Sequence, residues 1–506
     1  MKQEKTKRNP SRREGDSSGL LSLLRLYLDK LVFWLVLFLL FFTPIFLIPG
    51  IITHDTVIHS KEVLVLFVSC TAAAIAAFRI FFLSRGSLIH KDPVRIALLG
   101  YGLAMIVSAL FSGEPLYSLR ECIRTLPLLM LFLVFPELFR SFGTGKKSVR
   151  EGSGGSLEKI RLVTLTAAGL TSIYGLCQYF GFDFIYRIFR YSLTEDIARN
   201  YILSTIGNPE YLGSYLSPLI LLCLVDVLRP LCSRDEKAPL FPRIMGILLC
   251  LIFLCTLFLS GARGAVIGLV AGAALTTILL FPRIRTAVGG RRLIVASVAI
   301  AGFILAFVIV FSFPNPINRR NQNILGRFRE LFNLRSTSVK ERILFYSIGA
   351  DLIAQRPVFG VGEGMFRVKF YPTLEDLSER DERAGVTRFI YELRNRVADN
   401  AHNDLLQIWI ENGIVGFMSF SLGVMLLFAG AFSRISRDLK SGERGGITSL
   451  HLCFTAAAFC LLVNAGFSFP MHTPTRSVLF WCLLGATHAA TISSGYSTLT
   501  STRGES

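Results

Sequence analysis

The chain has 506 residues, 52% of them hydrophobic, with a mean hydropathy of +0.53 and a formal net charge of +19. This composition excludes a soluble protein of the same length, and the apolar residues fall into blocks of about 20, which is enough to cross the hydrocarbon core of a bilayer. A membrane β-barrel would show alternating polarity over segments of roughly 10 residues, which the sequence lacks. We therefore expect an all-α polytopic membrane protein.

Residues 1–30 are polar and carry eight lysine or arginine side chains. This segment is predicted to be a disordered basic tail on the cytoplasmic side of the membrane. The apolar block that follows it is long enough to stay in the bilayer, so we expect a first span and not a cleaved signal peptide.

Twelve apolar blocks predict about twelve transmembrane helices. They cover residues 31–48, 62–83, 94–111, 121–139, 159–180, 211–228, 243–260, 264–281, 292–312, 404–429, 448–466 and 475–492. The chain then divides into nine spans within 31–312, a large helical periplasmic loop at 313–403, three spans within 404–492 and a cytoplasmic tail at 493–506.

Basic residues concentrate on one side of the predicted spans. The loops on the side of the N-terminus carry several each, including Arg140, Lys146, Lys147 and Arg150 in one loop and Arg283, Arg285, Arg291 and Arg292 in another. The short loops on the other side carry about one each, namely Lys61, Arg120, Arg263 and Arg476. This bias predicts a bacterial inner-membrane protein with both termini in the cytoplasm. It also accounts for the positive net charge without a nucleic-acid partner, and no nucleic-acid-binding motif is present.

Ten cysteines are scattered along the chain, mostly within apolar blocks, and none stands in a CxxC pair or a metal-ligand spacing. We interpret them as small buried hydrophobic residues. No HxxxH or HExxH pattern joins the histidines, so the sequence predicts neither a metal site nor a cofactor.

Two predicted outside segments are longer than connections usually are in compact proteins. One covers residues 181–209 and includes Arg187, Arg190 and Arg199. The other is the large loop, in which residues 338–357 predict an amphipathic helix, since apolar residues recur every four positions on one face and a proline ends the pattern. The turn that follows, FGVGEGMF, lacks the preceding strand and the Lys-Ser/Thr pair of a phosphate loop, so a nucleotide site is not expected.

Outside arginines are candidates for binding an anion at membrane level. Arg263 lies in the tight turn SGARGA, beside a helix start, and Arg342 lies in the first turn of the amphipathic helix. In the functional interpretation both clamp one phosphate group, and Arg199 is a further substrate-binding candidate. The structural alternatives are an interfacial anchor for Arg263 and a solvated polar face for Arg342.

His402 and Asn403 stand where the large loop enters the tenth span. An imidazole with an ordinary pKa near roughly 6.5 accepts a proton at neutral pH, so His402 is a candidate general base and Asn403 a candidate substrate-binding residue. The structural alternative is an interfacial, hydrogen-bonded histidine. His54, His59 and His472 are also expected on the outside.

Three more polar residues are candidates for substrate binding. Asn208 and Glu210 lie in IGNPEYLGSYL, where Asn-Pro is first of all a turn and helix-start signal, although the side chains also suit sugar hydroxyls. Glu411 lies about two turns into the tenth span, where a carboxylate facing lipid would be costly. We therefore expect it to face the bundle interior, with an arginine as a candidate partner.

Four stretches, taken in order, resemble the O-antigen ligase / Wzy polymerase superfamily of bacterial envelope glycosyltransferases. They are GNPEYLGSYL, SGARGA, RILFYSIGADLIAQRPVFGVGEGMF and AHNDLLQIWIENGIVGF. The resemblance covers roughly residues 200–430, and its last two motifs are the most specific. Twelve spans with one large loop between the ninth and tenth also resemble the ligase layout, which implies a GT-C-like fold.

The resemblance implies an enzyme that transfers a glycan from undecaprenyl diphosphate to an acceptor hydroxyl at the periplasmic face, without nucleotide or metal. Carried over by motif, Arg263 and Arg342 bind the diphosphate, and His402 activates the acceptor hydroxyl or positions the donor. The favoured reaction is O-antigen ligation, with lipid A-core as acceptor. Two other kinds of enzyme share these motifs. One is an O-antigen or exopolysaccharide polymerase, which uses a second lipid-linked repeat unit as acceptor. The other is a protein O-oligosaccharyltransferase.

A secondary transporter is the alternative from a different class, because twelve helices with both ends inside is a common transporter layout. Transporters tend to show inverted repeats, interrupted helices and charges near the membrane midplane. In this chain the polar candidates gather at the outer face and the two halves lack matching broken spans, which favours the enzyme.

Overall fold

A computed structural model of the protein describes residues 11–48, 56–83, 92–141, 148–185, 202–232, 239–287, 309, 313, 337–380, 398–441 and 445–493. Within these ranges the regular structure is helical. The helices are α1 (Ser11–Phe42), α2 (Thr56–Phe78, continued by a π-helical turn at Arg79–Leu83), α3 (Pro93–Leu110), α4 (Pro115–Ser141), α5 (Ser148–Tyr179), α6 (Pro209–Cys223), α7 (Val225–Cys232), α8 (Leu240–Ser260), α9 (Arg263–Ala287), α10 (Thr337–Gln355), α11 (Met365–Arg380), α12 (Asp404–Ser441), α13 (Gly445–Ala465) and α14 (Pro474–Ser493). Short 3₁₀ turns at Ser204–Ile206 and Pro470–His472 precede α6 and α14.

Nine helices of the described ranges are long and apolar enough to cross a membrane, by length and composition alone. They are Val57–Leu83, Pro93–Leu110, Pro115–Phe139, Gly155–Tyr179, Pro209–Cys232, Leu240–Ser260, Arg263–Arg285, Asp404–Ser441 and Gly446–Ala465. Each coincides with a predicted span. The first and last predicted spans fall in α1 and α14, and the ninth, 292–312, lies outside the described residues apart from Ile309. A total of twelve spans therefore stays a prediction.

The basic tail differs from expectation. Helix α1 begins at Ser11, so residues 11–30 are helical and not disordered, while residues 1–10 lie outside the described part of the chain. Leu20, Leu21, Leu23 and Leu24, which are good helix formers, extend the helix from the membrane span toward the N-terminus. The helix of the first predicted span thus extends into the segment that was expected to be a polar tail.

Ion pairs hold the helices together at the end of the bundle where α3 begins and α4 ends. Arg95 at the start of α3 pairs with Glu137 of α4 at 2.9 Å, and Arg161 of α5 pairs with Asp226 of α7 at the same distance. We call the other end, where α12 begins, the site end. All the described candidate residues belong to segments at the site end or directly beneath it.

Glycines let α9 approach α13 closely. A Cβ added at Gly268 would lie 2.5 Å from the carbonyl oxygen of Cys460, and one added at Gly272 would lie 2.9 Å from that of Ala456. Small residues at such contacts are what brings membrane helices together, because lipid offers no hydrophobic drive for association. This contact fixes the turn at Arg263, where α9 begins, against the loop that leaves α13.

The predicted amphipathic helix is confirmed as α10. Leu344, Ile348 and Leu352 are all buried on one face, and the helix ends at Gln355, two residues before Pro357. Their side chains belong to a hydrophobic cluster with residues of α11 and of the start of α12. The described part of the large loop is therefore packed on the site end.

Candidate active site

His402 occupies a strained position at the start of α12. Its φ angle is +53°, a left-handed conformation that a histidine adopts at a cost. The imidazole stacks on Phe345 of α10, with 5.6 Å between ring centroids, and meets the edge of Phe469 at 4.8 Å. These aromatic contacts from two segments hold the ring in place. Strain of this kind persists only where the surroundings fix it and is typical of functional positions.

Three charged side chains surround His402, and we refer to His402, Arg342, Arg476 and Glu210 as the cationic corner. Burial lowers the pKa of His402; Glu210 opposes this shift, and the guanidinium groups of Arg342 and Arg476 add to it. The imidazole is therefore neutral at pH 7 and able to accept a proton.

Arg476 is fully buried and held from several sides. Its Nε donates to Thr473 Oγ1 at 2.6 Å, and its Nη1 donates to Ser468 Oγ at 3.0 Å. The guanidinium lies over the ring of Tyr211, 4.1 Å from the centroid. A buried arginine stacked on an aromatic face is a preorganised positive charge, because both its orientation and its solvation are fixed by protein. The sequence singled out Arg476 only as a basic residue of an outside loop.

The structure brings Arg342 and Arg263 to the same short loop. Arg342 Nη2 donates to the carbonyl oxygen of Phe467 at 3.0 Å. Gly264, the neighbour of Arg263 in α9, lies against the same residue, since a Cβ there would stand 3.2 Å from Phe467 Cβ. The loop between α13 and α14 is thus the common support of both predicted arginines.

The remaining predicted residues divide by position. Asn208 caps α6, with its Oδ1 accepting from the N–H groups of Glu210 and Tyr211 at 2.9 and 3.3 Å, so the predicted helix start is confirmed. Asn403 likewise caps α12 by accepting from Leu406 N–H at 3.1 Å. Arg199, with the rest of 186–201, lies outside the described residues.

A second group, the carboxylate cluster, lies beside the cationic corner and consists of Asp404, Glu363, Glu411 and His472. Asp404 is completely buried; its Oδ1 contacts His472 Nδ1 at 2.6 Å and its Oδ2 accepts from Met471 N–H at 2.8 Å. Although burial disfavours the charged ring, Asp404 and the two glutamates raise the pKa of His472 to about 9. An imidazolium therefore sits among three carboxyl groups at neutral pH.

Glu411 faces the bundle interior, as the sequence predicts, and is 1% exposed. Its Oε1 accepts from Phe366 N–H at 3.2 Å and from Gln407 Nε2 at 3.3 Å, and the Gly364 amide also bonds to the carboxylate. In the described residues these amides, with His472 nearby, take the place of the arginine that the sequence suggested as a partner.

The glycine-rich turn between α10 and α11 explains this arrangement. Gly360, Gly362 and Gly364 all have positive φ angles, and Gly362 N–H donates to the Glu411 carbonyl oxygen at 3.0 Å. Opposite them α12 is interrupted at Gly413, with φ 64° and ψ −171°. The turn and the start of α11 donate backbone amides to a side-chain carboxyl group of the protein itself, whereas a phosphate loop donates its amides to a bound phosphate.

Glu363, Glu411 and His472 each place one donor atom within 4.8 Å of the others. They come from three segments that are far apart in sequence, so no spacing pattern joins them and sequence reasoning missed the group. Burial raises the pKa of Glu363, against the opposing effects of His472 and of the hydrogen bond from Asn412. The cluster therefore binds protons readily, and the imidazolium of His472 balances the negative charge that remains.

A cavity of about 340 Å³ opens beside both groups. Its wall includes Tyr211, Phe469 and His472 from the site, together with residues of α2, α4 and the segment that precedes α12. Tyr211 and Phe469 therefore have one side toward the cationic corner and the other toward the cavity. The cavity is therefore adjacent to a ring, Phe469, that His402 contacts.

Comparison with known protein families agrees with this geometry. Residues 248–421 match the family described as O-Antigen ligase, a segment that contains Arg263, Arg342, the glycine-rich turn and His402. No curated protein matches the chain. With its membrane-spanning helices and this domain, the chain is a multi-pass membrane protein that contains a region similar to the O-antigen ligase family.

Proposed function

We propose that the protein is a membrane glycosyltransferase that moves a glycan from undecaprenyl diphosphate to an acceptor hydroxyl, and that its reaction is O-antigen ligation to lipid A-core. The observation that carries the proposal is the cationic corner, in which a buried, neutral histidine lies close enough to two arginines to interact with both. His402 and Arg342 both lie in the segment that matches the O-antigen ligase family.

The arginines suit the leaving group. Departure of a diphosphate develops negative charge, which fixed guanidinium groups stabilise more strongly in a dry site than water would. Arg476 is already oriented by its contacts with Thr473 and Ser468. Arg342 spends one donor on the Phe467 carbonyl, and a guanidinium has five N–H groups, so donors remain for phosphate oxygens. Arg263, at the start of α9, is the proposed third cation.

His402 supplies the base. In the proposed step the acceptor hydroxyl oxygen attacks the anomeric carbon, and its proton passes to a ring nitrogen of His402. A new carbon–oxygen bond forms while the bond from the anomeric carbon to the diphosphate oxygen breaks. Undecaprenyl diphosphate leaves with that electron pair. The reaction uses the energy of the glycosyl diphosphate, so the proposal includes no nucleotide and no metal.

The membrane placement follows the same proposal. The donor is tethered to lipid, so its diphosphate lies at the bilayer surface, where the site end meets the headgroups. We assign the site end to the periplasmic face of the inner membrane and both termini to the cytoplasm, on the strength of the basic residues in the opposite loops.

The test uses purified protein in nanodiscs with an undecaprenyl-diphosphate-linked glycan and two acceptors, lipid A-core and further donor. A single shift of lipid A-core on a gel is the expected result. A ladder of products on the lipid carrier would indicate polymerisation at the same site and not ligation. If the donor binds but is transferred to neither acceptor, the acceptor would be a protein or another glycan. A donor that does not bind at all would contradict the proposed enzymatic function and favour the alternative that the protein is a secondary transporter.

Variants connect the activity to the site. Arg342→Ala and Arg263→Ala are expected to lower the rate of transfer by about 10²–10³-fold each, in line with removal of one charge-stabilising group. Arg342→Lys should restore only part of the loss, because an ammonium cannot bind two oxygens at once. Arg437→Ala, an exposed arginine at the opposite end of α12, is the matched control. Full activity in both site variants, at normal expression, would contradict the assignment.

A further inference from the structure

The cavity beside the cationic corner is a separate compartment with its own chemistry. It has a volume of about 340 Å³, at the low end of the range of small-molecule sites, which leaves room for roughly one or two sugar rings. Tyr117, Tyr211 and Phe469 contribute aromatic surface, and Asn400 and Gln407 contribute amides. Aromatic faces together with planar hydrogen-bonding groups are suited to a ring that is apolar on its faces and carries hydroxyls at its edge.

The charges of the cavity distinguish it from the cationic corner. Four carboxyl groups line it, against two guanidinium groups and the imidazolium of His472. The carboxyl groups are Glu62, Glu121, Glu363 and Asp399, and the guanidinium groups are Arg124 and Arg367.

Both arginines of the cavity are paired. Arg124 contacts Glu62 at 2.5 Å and Glu121 at 2.6 Å, and Arg367 contacts Asp399 at 3.0 Å. A phosphate or uronate placed here would meet a surplus of acidic groups and guanidinium groups that already have partners. Paired carboxylates and amides remain good partners for neutral hydroxyls.

The cavity also has the right position relative to the proposed base. The rings of Tyr211 and Phe469 form part of its wall, while Arg476 lies over Tyr211 and His402 meets Phe469 on the other side. Phe469 thus contacts both the cavity and His402, and Tyr211 contacts both the cavity and Arg476. The proposal requires that a hydroxyl at the edge of a sugar bound in the cavity extends past these two rings to the cationic corner.

We propose that this cavity binds the sugar that carries the acceptor hydroxyl, and that this sugar is an uncharged hexopyranose. The proposal rests on the glycosyltransferase function proposed above and adds the place and the charge class of the acceptor. Anion recognition and sugar recognition are then divided between two adjoining compartments, with Phe469 and Tyr211 between them.

The kinetic test compares Tyr117→Ala with Tyr371→Ala. Both tyrosines are half-buried on the same hydrophobic cluster, but only Tyr117 lines the cavity. Removing the aromatic face is expected to raise KM for the acceptor by about tenfold and to leave KM for the lipid-linked donor unchanged. Tyr117→Phe, which keeps the ring, should retain most of the acceptor affinity. A raised donor KM with an unchanged acceptor KM would overturn the proposal, because the cavity would then hold donor sugar.

A binding test separates failure of this proposal from failure of the proposed enzyme. Saturation-transfer NMR on the full chain in nanodiscs, without donor, uses maltose and lactose as neutral probes and glucose 6-phosphate as the anionic one. A neutral disaccharide signal that Tyr117→Ala lowers at least about threefold is expected, with a weaker signal from the phosphate sugar. Absent neutral-sugar binding, or equal binding of glucose 6-phosphate, would overturn the proposal even if transfer activity persists. If transfer is absent and neutral sugar still binds, the result supports the proposed sugar site and contradicts the proposed glycosyl transfer.

A charge variant tests the class of sugar directly. Asp399 is 56% exposed at the rim, so Asp399→Asn leaves Arg367 without its partner at little risk to the fold. Binding of glucose 6-phosphate relative to maltose is expected to rise by about threefold or more in this variant. Asp376→Asn, an exposed residue of α11 that does not line the cavity, is the matched control. An unchanged ratio in Asp399→Asn would overturn the charge argument.

Discussion

His402 and His472 both lie near Phe469 and differ in their charge at neutral pH. Burial against aromatic rings lowers the pKa of the His402 imidazole, and two guanidinium groups nearby lower it further. His472 is bonded to the buried Asp404, so the pKa of its imidazole is raised to about 9. Only His402 is ready to accept a proton at pH 7, although the sequence presents both as single histidines in predicted outside segments. The difference between their pKa values comes from neighbouring residues whose positions cannot be predicted from the sequence.

A pH profile tests the role of His402. The rate of transfer should rise as His402 loses its proton, with a midpoint below the ordinary value of about 6.5, and should be constant from about pH 7 to 8. His402→Asn is the sharpest variant, because asparagine tolerates the positive φ angle but cannot act as the base. We expect a loss of about 10²–10⁴-fold and a flat profile for the residual rate below pH 7. A variant that kept the wild-type midpoint would show that another group titrates.

The pair of Asp404 and His472 is expected to stabilise the fold in a pH-dependent way. Because the pKa of His472 is about 9 in the folded protein and about 6.5 when unfolded, the pair stabilises fully below about pH 6.5 and its contribution is lost as the pH rises through 9. Between pH 7 and 9.5 the Tm of the wild type should fall by roughly 2–4 °C more than that of His472→Gln. His59→Gln, whose side chain is 51% exposed, is the control. Parallel curves for wild type and His472→Gln would contradict the ion pair.

At the scale of elements, the turn between α10 and α11 and the kink in α12 form one unit. The amphipathic helix that leads into the turn was predictable, since its buried face repeats every four residues. The kink was not, because Gly413 lies in a stretch that reads as an ordinary continuous span. Its conformation depends on amides and carbonyls supplied by a distant segment, as does the burial of Glu411. The sequence therefore predicts the helices but not the contact between them that shapes the site.

Gly413→Ala tests this unit. A Cβ at position 413 would stand 2.2 Å from the carbonyl oxygen of Val358, and the φ of 64° adds strain for any residue but glycine. We expect a fall in Tm and loss of transfer activity, because the turn that holds Glu411 must move. Gly430→Ala, in the regular part of the same helix with its nearest contact at 3.4 Å, should be neutral or slightly stabilising. Equal stability of the two variants, measured by thermal unfolding in nanodiscs, would contradict this account.

At the scale of the whole molecule, hydropathy predicts most of the described bundle and the motifs predict which of its ends carries the site. Each of the nine membrane-crossing helices falls on a predicted span. Arg342 and His402 lie close enough to interact, and Arg476 interacts with His402 as well. Glu363, Glu411 and His472 form a second group that is also assembled only in three dimensions. Contacts between segments that lie hundreds of residues apart cannot be read from local periodicity. The contacts of Phe345 and Phe469 with His402 are of this kind.

The orientation of the bundle is open to a direct experiment. Glu114→Cys and Arg437→Cys place thiols on exposed positions at the site end and the opposite end respectively. In a background with the accessible native cysteines replaced, a membrane-impermeant maleimide should label the first in intact cells and the second only after the inner membrane is opened. The opposite pattern would invert the proposed topology and remove the site from its lipid-linked donor.

The carboxylate held by backbone amides has a consequence for exchange of parts between relatives. The stretch from α10 to the start of α12 has the form of a separate block that recombination or protein engineering could exchange as a whole. Yet Gly364 and Phe366 lie in that block, while Glu411, to which their amides donate, lies beyond its apparent boundary. Gly413, which makes room for Val358 and Gly360 of the block, also lies beyond that boundary. A graft that stops at residue 403 combines the glycine-rich turn of one protein with the Glu411 carboxyl group of the other. A graft that extends past Gly413 transfers the turn, Glu411 and Gly413 together. Exchangeable units in this bundle end inside a membrane helix.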